Sequence, residues 1–382
     1  MDPIAHTLTG AALAGSGLRH RTPLATATLL LAANAPDADA LVYLAGDPYL
    51  GLAFRRGITH GLPAMALWPF LIVGLVLLWD WGVRRRRHPE RPAPRPRALL
   101  GLATLGVLTH PALDWLNTYG MRWLLPLDGR WSYGDAVFIV DPWIWLGLGI
   151  PAFLVWSGST RARIGWALAA TLLSLPVLLA GAVPVAARAL WIGGLVAAGL
   201  LRWRMGGAAH GPVPARADTP ARAARLGLVS VGVYTAAMLG GTLAAETVVR
   251  ARLEESGVRA RTVSAGPVPA DPLRRGLVVE IDAGYLRGTF SWLDPARFQL
   301  DAAVLPAAPR DPTHLAAARA ARNHPDVRRY LVWARFPFTR VRPAPGGWSV
   351  LVGDARYSGA EGGGGLGGVE VYVSAEEVSA RR

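Results

Sequence analysis

The stretch Leu108-Thr109-His110-Pro111-Ala112-Leu113-Asp114-Trp115-Leu116-Asn117-Thr118-Tyr119-Gly120 closes an apolar run that starts near Ala98. Read as a helix, it puts His110 and Asp114 at i and i+4, on one face and one turn apart. An imidazole and a carboxylate so placed can share a divalent ion, and a segment of bilayer length does not carry them without cause. The plainer alternative is a His–Asp hydrogen bond that ties two helices together. The other polar residues of the chain decide between the two.

Of the 382 residues, 52% are hydrophobic and 17% charged, too apolar for an ordinary soluble protein and in keeping with several membrane spans. Cysteine is absent, which excludes disulfides and thiolate metal sites. The net charge is +14, and the Lys+Arg total is all arginine. Arginines clustered between apolar runs fit membrane orientation better than nucleic-acid binding, so no nucleic-acid partner is expected. Met1-Asp2-Pro3-Ile4-Ala5-His6 lacks a basic n-region, and no cleavable signal peptide is expected.

Apolar segments run over Pro3–Leu18, Pro23–Leu44, Leu62–Trp81, Ala98–Tyr119, Ile139–Trp156, Ile164–Val183, Val185–Trp203 and Leu226–Val248. Most approach the ~20 residues that cross about 30 Å of hydrocarbon at 1.5 Å per residue, and about eight spans are expected, the first of them short. Basic connections carry Arg19 to Arg21, Arg84 to Arg97, Arg161 with Arg163, and Arg202 to Arg225. They fall in every second connection, which by the positive-inside rule face the cytoplasm. Both termini, and the connections Pro36–Gly57 and Gly120–Phe138, then lie outside. His20, His88 and His210 fall in basic connections, and His314 and His324 in the C-terminal part; all five read as surface residues.

Beyond Val248 the chain is charged and carries period-two patterns. Gly276–Trp292 reads as a hairpin turning at Asp282-Ala283-Gly284. Tyr330–Arg342 with Trp348–Tyr357 reads as a second, turning at Pro345-Gly346-Gly347. Pro312–Asn323 reads as helical, Gly359–Gly368 as a loop and Val369–Val373 as a last strand. The fold expected is a multi-pass α-helical membrane domain (1–248) followed by a small extracytoplasmic α+β domain (249–382) of roughly 130 residues.

That topology brings His6, Asp37, Asp39, His60, His110, Asp114 and Asp141 from separate segments to the outer leaflet. Histidine nitrogens and carboxylate oxygens are zinc ligands, and this set suffices for one divalent metal site or a two-metal site. Each residue also has a plainer role. His6 can anchor a helix end, Asp37 and Asp39 can end a helix as turn residues, His60 can start a helix, and Asp141-Pro142 is an ordinary N-cap. Convergence on one face favours a site. Arg55, Arg56, Arg122 and Arg130 lie on the same side and can bind a phosphate or snorkel to headgroups.

The motifs Asp2-Pro3-Ile4-Ala5-His6-Thr7-Leu8-Thr9-Gly10, Pro36-Asp37-Ala38-Asp39, Arg56-Gly57-Ile58-Thr59-His60, His110-(three residues)-Asp114 with Asn117-Thr118-Tyr119-Gly120, and Val140-Asp141-Pro142 occur in this order. Together they resemble the membrane-bound metal-dependent hydrolase family of YdjM-like inner-membrane proteins, over the first ~160 residues as an ordered motif set. Pro337 and Val352-Gly353-Asp354-Ala355-Arg356-Tyr357 look like the tail of the longer, YfhP-like members. The resemblance implies a bacterial inner-membrane hydrolase whose motif layout is loosely similar to that of zinc-dependent phospholipase C. It carries metal roles onto His6, Asp37, Asp39, His60, His110, Asp114 and Asp141. Such proteins usually have histidine where this chain has Arg55; the change removes a ligand from a second metal site and adds a cation for a substrate anion.

The function expected is hydrolysis of a phosphoester or ester of a lipid-linked substrate at the outer leaflet, with a divalent metal, zinc by this donor set. Asp39 or Asp141 takes the proton, Arg56 or Arg122 neutralises developing charge, and Arg55, Arg56 and Arg122 hold the substrate. The alternative is a non-enzymatic membrane binding or assembly protein with a structural metal or polar cluster, its C-terminal domain meeting a protein partner.

Overall fold

A computed structural model of the chain describes residues 1–207, 219–294, 298–357 and 365–379. Residues 208–218 of the Arg202–Arg225 connection, with His210, and most of the Gly359–Gly368 loop lie outside the described residues. Helices form over Pro3–Gly15 (α1), Ala25–Asn34 (α2), Pro48–Phe54 (α3), Leu62–Trp79 (α4), Pro96–Trp115 (α5), Pro142–Trp156 (α6), Thr160–Leu179 (α7), Val185–Gly207 (α8) and Thr219–Glu255 (α9). Their starts are written in the sequence. Asp2, Asp47 and Asp141 accept hydrogen bonds from the first-turn amides of α1, α3 and α6, each with proline at the first helical position.

Each apolar segment of the sequence therefore contains a helix, but not each is a full span. Four helices among the described residues are long and apolar enough to cross a membrane: Leu62–Arg87, Thr160–Leu179, Val185–Met205 and Thr219–Glu255. Helices α1, α2 and α6 have 13, 10 and 15 residues, short of the ~20 a full crossing needs, and among the described residues four of the roughly eight expected spans are long and apolar enough. The run after α2 tightens into a 3-10 helix, Ala35–Ala45, where Pro36 has no N–H to continue α-helical pairing. Likewise α5 stops at Trp115, so Asn117 to Gly120 lie in a turn rather than in the helix.

The chain divides into two units. The first comprises Met1–Ala38, Arg56–Gly241 and Pro267–Pro272. The second comprises Asp39–Arg55, Thr242–Gly266 and Leu273–Arg382. The division falls within α9 rather than at 248/249, because that helix continues unbroken past the end of its apolar stretch to Glu255.

In the first unit, α2 is the centre onto which α1 and α5 close. A Cβ on Gly10 would lie 2.9 Å from the Leu29 carbonyl, and one on Gly106 only 2.7 Å from the Ala32 side chain. Small residues at these crossings let the backbones approach as far as van der Waals contact permits. Leu99, Ala103 and Val107 of α5 then pack with Ala32, Met65, Ile72 and Val76.

Thr262–Val268 (β1), Asp271–Ile281 (β2), Gly284–Ser291 (β3) and Gln299–Leu300 (β4), which lie in the second unit but for residues 267–272, form one sheet in that order. Helices Pro312–Ala321 (α10) and Pro325–Trp333 (α11) follow, then Pro337–Ala344 (β5), Gly347–Asp354 (β6), Gly368–Ser374 (β7) and Ala375–Ser379 (α12). The β2–β3 hairpin turns where expected, with Ile281 opposite Gly284. β5 and β6 turn at Pro345-Gly346, Ala344 facing Gly347. The expectation that Tyr330 opens this hairpin is corrected. His324 caps α11, Pro325 starts it, and Val327, Tyr330 and Trp333 bury one helical face, so the strand begins only at Pro337.

Candidate metal centre

Histidine 110 sits on the last turns of α5, and its Nδ1 lies 2.7 Å from the Ala33 carbonyl oxygen at the end of α2. A carbonyl only accepts, so Nδ1 carries a proton and Nε2 is the nitrogen left to ligate. This is the carbonyl–imidazole arrangement that fixes metal-binding histidines. It depends on the close α2–α5 crossing at Gly106.

The second histidine comes from a tight turn. The amides of His60 and Gly61 both donate to the Gly57 carbonyl at 3.0 Å, and Arg56 adopts a left-handed φ of 52°. Such a conformation in a residue other than glycine costs about 1–3 kcal/mol and persists only where neighbours hold it. Here the Arg122 amide donates to the Arg56 carbonyl at 3.1 Å and the Leu62 amide to the Trp123 carbonyl at 2.8 Å. A Cβ on Gly61 would lie 2.9 Å from the Leu125 carbonyl, so the two segments meet backbone to backbone.

Four side chains converge. One ligand atom each from Asp37, His60, His110 and Asp114 lies within 4.8 Å of the others. The Nε2 atoms of His60 and His110 are 3.1 Å apart. Asp114 Oδ2 is 3.2 Å from His60 Nε2 and 3.5 Å from His110 Nε2. Asp37 Oδ1 is 3.9 and 3.8 Å from the same nitrogens. Ligands about 2.0–2.2 Å from a zinc ion at tetrahedral or octahedral angles are themselves about 3–3.5 Å apart. His60, His110 and Asp114 fit that spacing, and Asp37 stands a few tenths wider. Asp114 Oδ2 is buried, and within 3.5 Å it faces the two histidine Nε2 atoms. His60, His110 and Asp114 are fully buried, whereas the Asp37 side chain is 11% exposed. An N2O2 set with one exposed edge suits a divalent cation.

Asp114 is held from its other side. Arg56 Nη2 lies 3.0 Å from Asp114 Oδ1 while Nη1 donates to Asn117 Oδ1 at 2.7 Å. His6 Nε2 lies 3.2 Å from the same Oδ1, and its ring stacks on that of His110 with centroids 3.7 Å apart. His6 thus contacts the cluster through Asp114, and its buried Nδ1 has no hydrogen-bond partner.

The remaining candidate residues stand elsewhere. Asp39 belongs to the second unit, where Oδ1 is 3.3 Å from Arg55 Nε, and the Arg55 guanidinium lies over the Tyr43 ring. Asp141 caps α6 and accepts from the Tyr234 hydroxyl at 2.9 Å. The Arg122 guanidinium lies 4.6 Å from the Trp131 ring centroid, and Arg130 pairs with Asp128 on the surface. Asn117 has no task assigned from the sequence alone; its one signal there is an amide directly after an apolar run. The Ala33 carbonyl has no sequence signature at all.

Residues 1–187 match the family described as YdjM inner membrane protein. The chain is also 26% identical over 193 residues to the uncharacterized protein YfhP of Bacillus subtilis (strain 168), a match covering 47% of this chain and 52% of that protein. The chain thus spans about half the length of the curated relative it matches. No solved structure matches it significantly.

Proposed function

From the premise that residues 1–187 make this chain a multi-pass member of the YdjM inner membrane protein family, we propose that it is a metal-dependent hydrolase cleaving a phosphoester or ester of a lipid-linked substrate at the outer leaflet. The observation that carries the reading is the grouping of Asp37, His60, His110 and Asp114, drawn from separate elements, around one point. These four residues would hold the ion. When bound, a divalent ion polarises the scissile group and makes water a nucleophile near neutral pH. Asp37, at the exposed edge, is the one of the four nearest to solvent. His110 is kept in the ligating tautomer by Ala33, and Arg56 fixes Asp114 while Asn117 fixes Arg56. Asp39 and Asp141 already serve Arg55 and the α6 cap, so the proposal gives them positioning roles rather than proton transfer.

A lipid-linked substrate is supported by the surroundings. Ile58, two residues from both Arg56 and His60, is 53% exposed, and Leu124 and Leu127 are exposed in the loop that meets this turn. Apolar side chains presented next to a polar centre suit an amphipathic substrate. The test is a panel of lipid phosphates and lipid esters offered to the full chain in nanodiscs. Turnover abolished by a chelator and by His110→Ala is expected; no turnover on any member by metal-loaded protein would overturn the reading.

One observation favours a second reading. His60, His110 and Asp114 are sealed from solvent, as in a structural site that ties helices together in a binding or assembly protein. In that case chelation lowers the melting temperature with no substrate ever turned over.

A further inference from the structure

A cavity of about 690 Å³ opens in the first unit, lined by α6, α7 and α8 with Leu8 of α1 at its wall. Its lining is apolar, with Ile150, Phe153, Leu173 and Leu195 among it, and the charged residues of its described lining are Arg163 and Arg202. These two share one end. Arg163 lies in the first turn of α7 and Arg202 near the end of α8, and the two helices run antiparallel, joined by residues 180–184. Arg202 donates from Nε to the Ser157 hydroxyl at 2.9 Å and from Nη2 to the Ser157 carbonyl at 3.1 Å, which aims its fork at this end. Trp166 and Trp203 line the cavity near the arginines, while Trp145 and Trp191 close the opposite end. Eleven helical positions from Trp191 to Arg202 give the cavity a length of about 16 Å.

The shape and charge point to one class of occupant. A long apolar chamber takes an alkyl chain, and two guanidiniums at its mouth take a phosphate through paired charge-assisted hydrogen bonds. Indoles beside the arginines stand as they do at the headgroup level of a bilayer. Of the four candidate spans, α7 and α8 bury least of their length, which leaves apolar faces suited to lipid around this cavity. We propose that the cavity holds one acyl chain of an anionic phospholipid whose phosphate is bound by Arg163 and Arg202. The site is separate from the metal centre and does not depend on the activity assigned to it.

The test uses full-length protein in vesicles of equal parts phosphatidylglycerol and phosphatidylcholine, released into native mass spectrometry. The wild type is expected to retain phosphatidylglycerol in preference to phosphatidylcholine. Arg163→Gln with Arg202→Gln is expected to cut that preference about tenfold or more, the effect of losing charged hydrogen bonds to the phosphate. Arg163→Gln alone, on an exposed side chain bonded to Thr160, keeps the test valid if the double variant does not fold. A third variant fills the chamber. Gly199 is in the wall and a Cβ there meets nothing within 4 Å, so Gly199→Leu enters the space while improving the helix, and retention of both lipids is expected to fall. Unchanged preference in the arginine variants, undiminished retention in Gly199→Leu, or displacement of the lipid by inorganic phosphate alone would each overturn the proposal.

Discussion

The Nε2 atoms of His60 and His110 lie 3.1 Å apart, although 50 residues separate them in the chain. Because the Ala33 carbonyl holds a proton of His110 on Nδ1, Nε2 is the nitrogen the ring offers toward His60 as a ligand. Two carboxylates, from Asp37 and Asp114, face the same point. Arg56 and the Met1 amine serve Asp114 through Oδ1, and a divalent ion would serve the donor atoms that face the common point.

The α2–α5 crossing is what makes this meeting possible. Gly106→Leu would drive a side chain into Ala32 and the Leu29 carbonyl. Overpacking of this kind costs about 1–3 kcal/mol and parts Ala33 from His110. The expected outcome is a lower melting temperature in detergent together with weaker metal retention; loss of stability with metal retention intact would separate the crossing from the site.

Arg56 links Asp114 to Asn117 with two different nitrogens of its fork. Arg56→Gln removes one of the two cations, Arg56 and the Met1 amine, that pair with the buried Asp114 carboxylate, a loss of about 3 kcal/mol. Arg56→Lys is expected to recover little, because a single ammonium does not reproduce the planar fork. Thermal unfolding of the three proteins side by side checks both statements.

Asp141 is expected to matter for the helix and not for the ion. Asp141→Ala removes the α6 N-cap and the bond from Tyr234, with a stability loss of about 1–2 kcal/mol. Metal content should be unchanged. A protein stripped of metal by this substitution would return Asp141 to the ligand set.

A pH dependence follows from the second unit. Burial pushes the Asp354 carboxyl up, but the Arg356 guanidinium beside it, at 2.9 Å, and amide donors prevail and hold it below its ordinary value of 3.8. A depressed carboxylate contributes stability that is fully present above 3.8 and is lost as pH falls below it. Wild-type melting temperature should therefore fall across that acid range. Asp354→Asn should lack this acid limb and, at neutral pH, be less stable by about 2–4 kcal/mol because Arg356 is left buried without its partner.

Much of the helical layout was legible because Asp-Pro caps and apolar runs announce themselves locally. Span length was not, since hydropathy does not register where Pro36 tightens the helix after α2 or where the chain turns after Trp115. Asp37 and Asp39 looked equivalent in the sequence. They lie in a 3-10 helix of three residues per turn, where positions two apart point about 120° apart, so the two side chains do not share a face. Tyr330 and Trp333 sit in a short apolar run whose spacing serves strand or helix alike, and the Pro325 start settled it as a helix. Backbone groups such as the Ala33 carbonyl cannot be read from side-chain identity at all.

The most direct measurement is the metal content of the full chain purified in detergent without chelator, beside the His60→Ala/His110→Ala variant. About one divalent ion per chain is predicted for the wild type, as four converging ligands require, and none for the variant. Wild-type protein that melts cooperatively while holding no metal, or a variant that retains as much as the wild type, would contradict a metal centre at these residues.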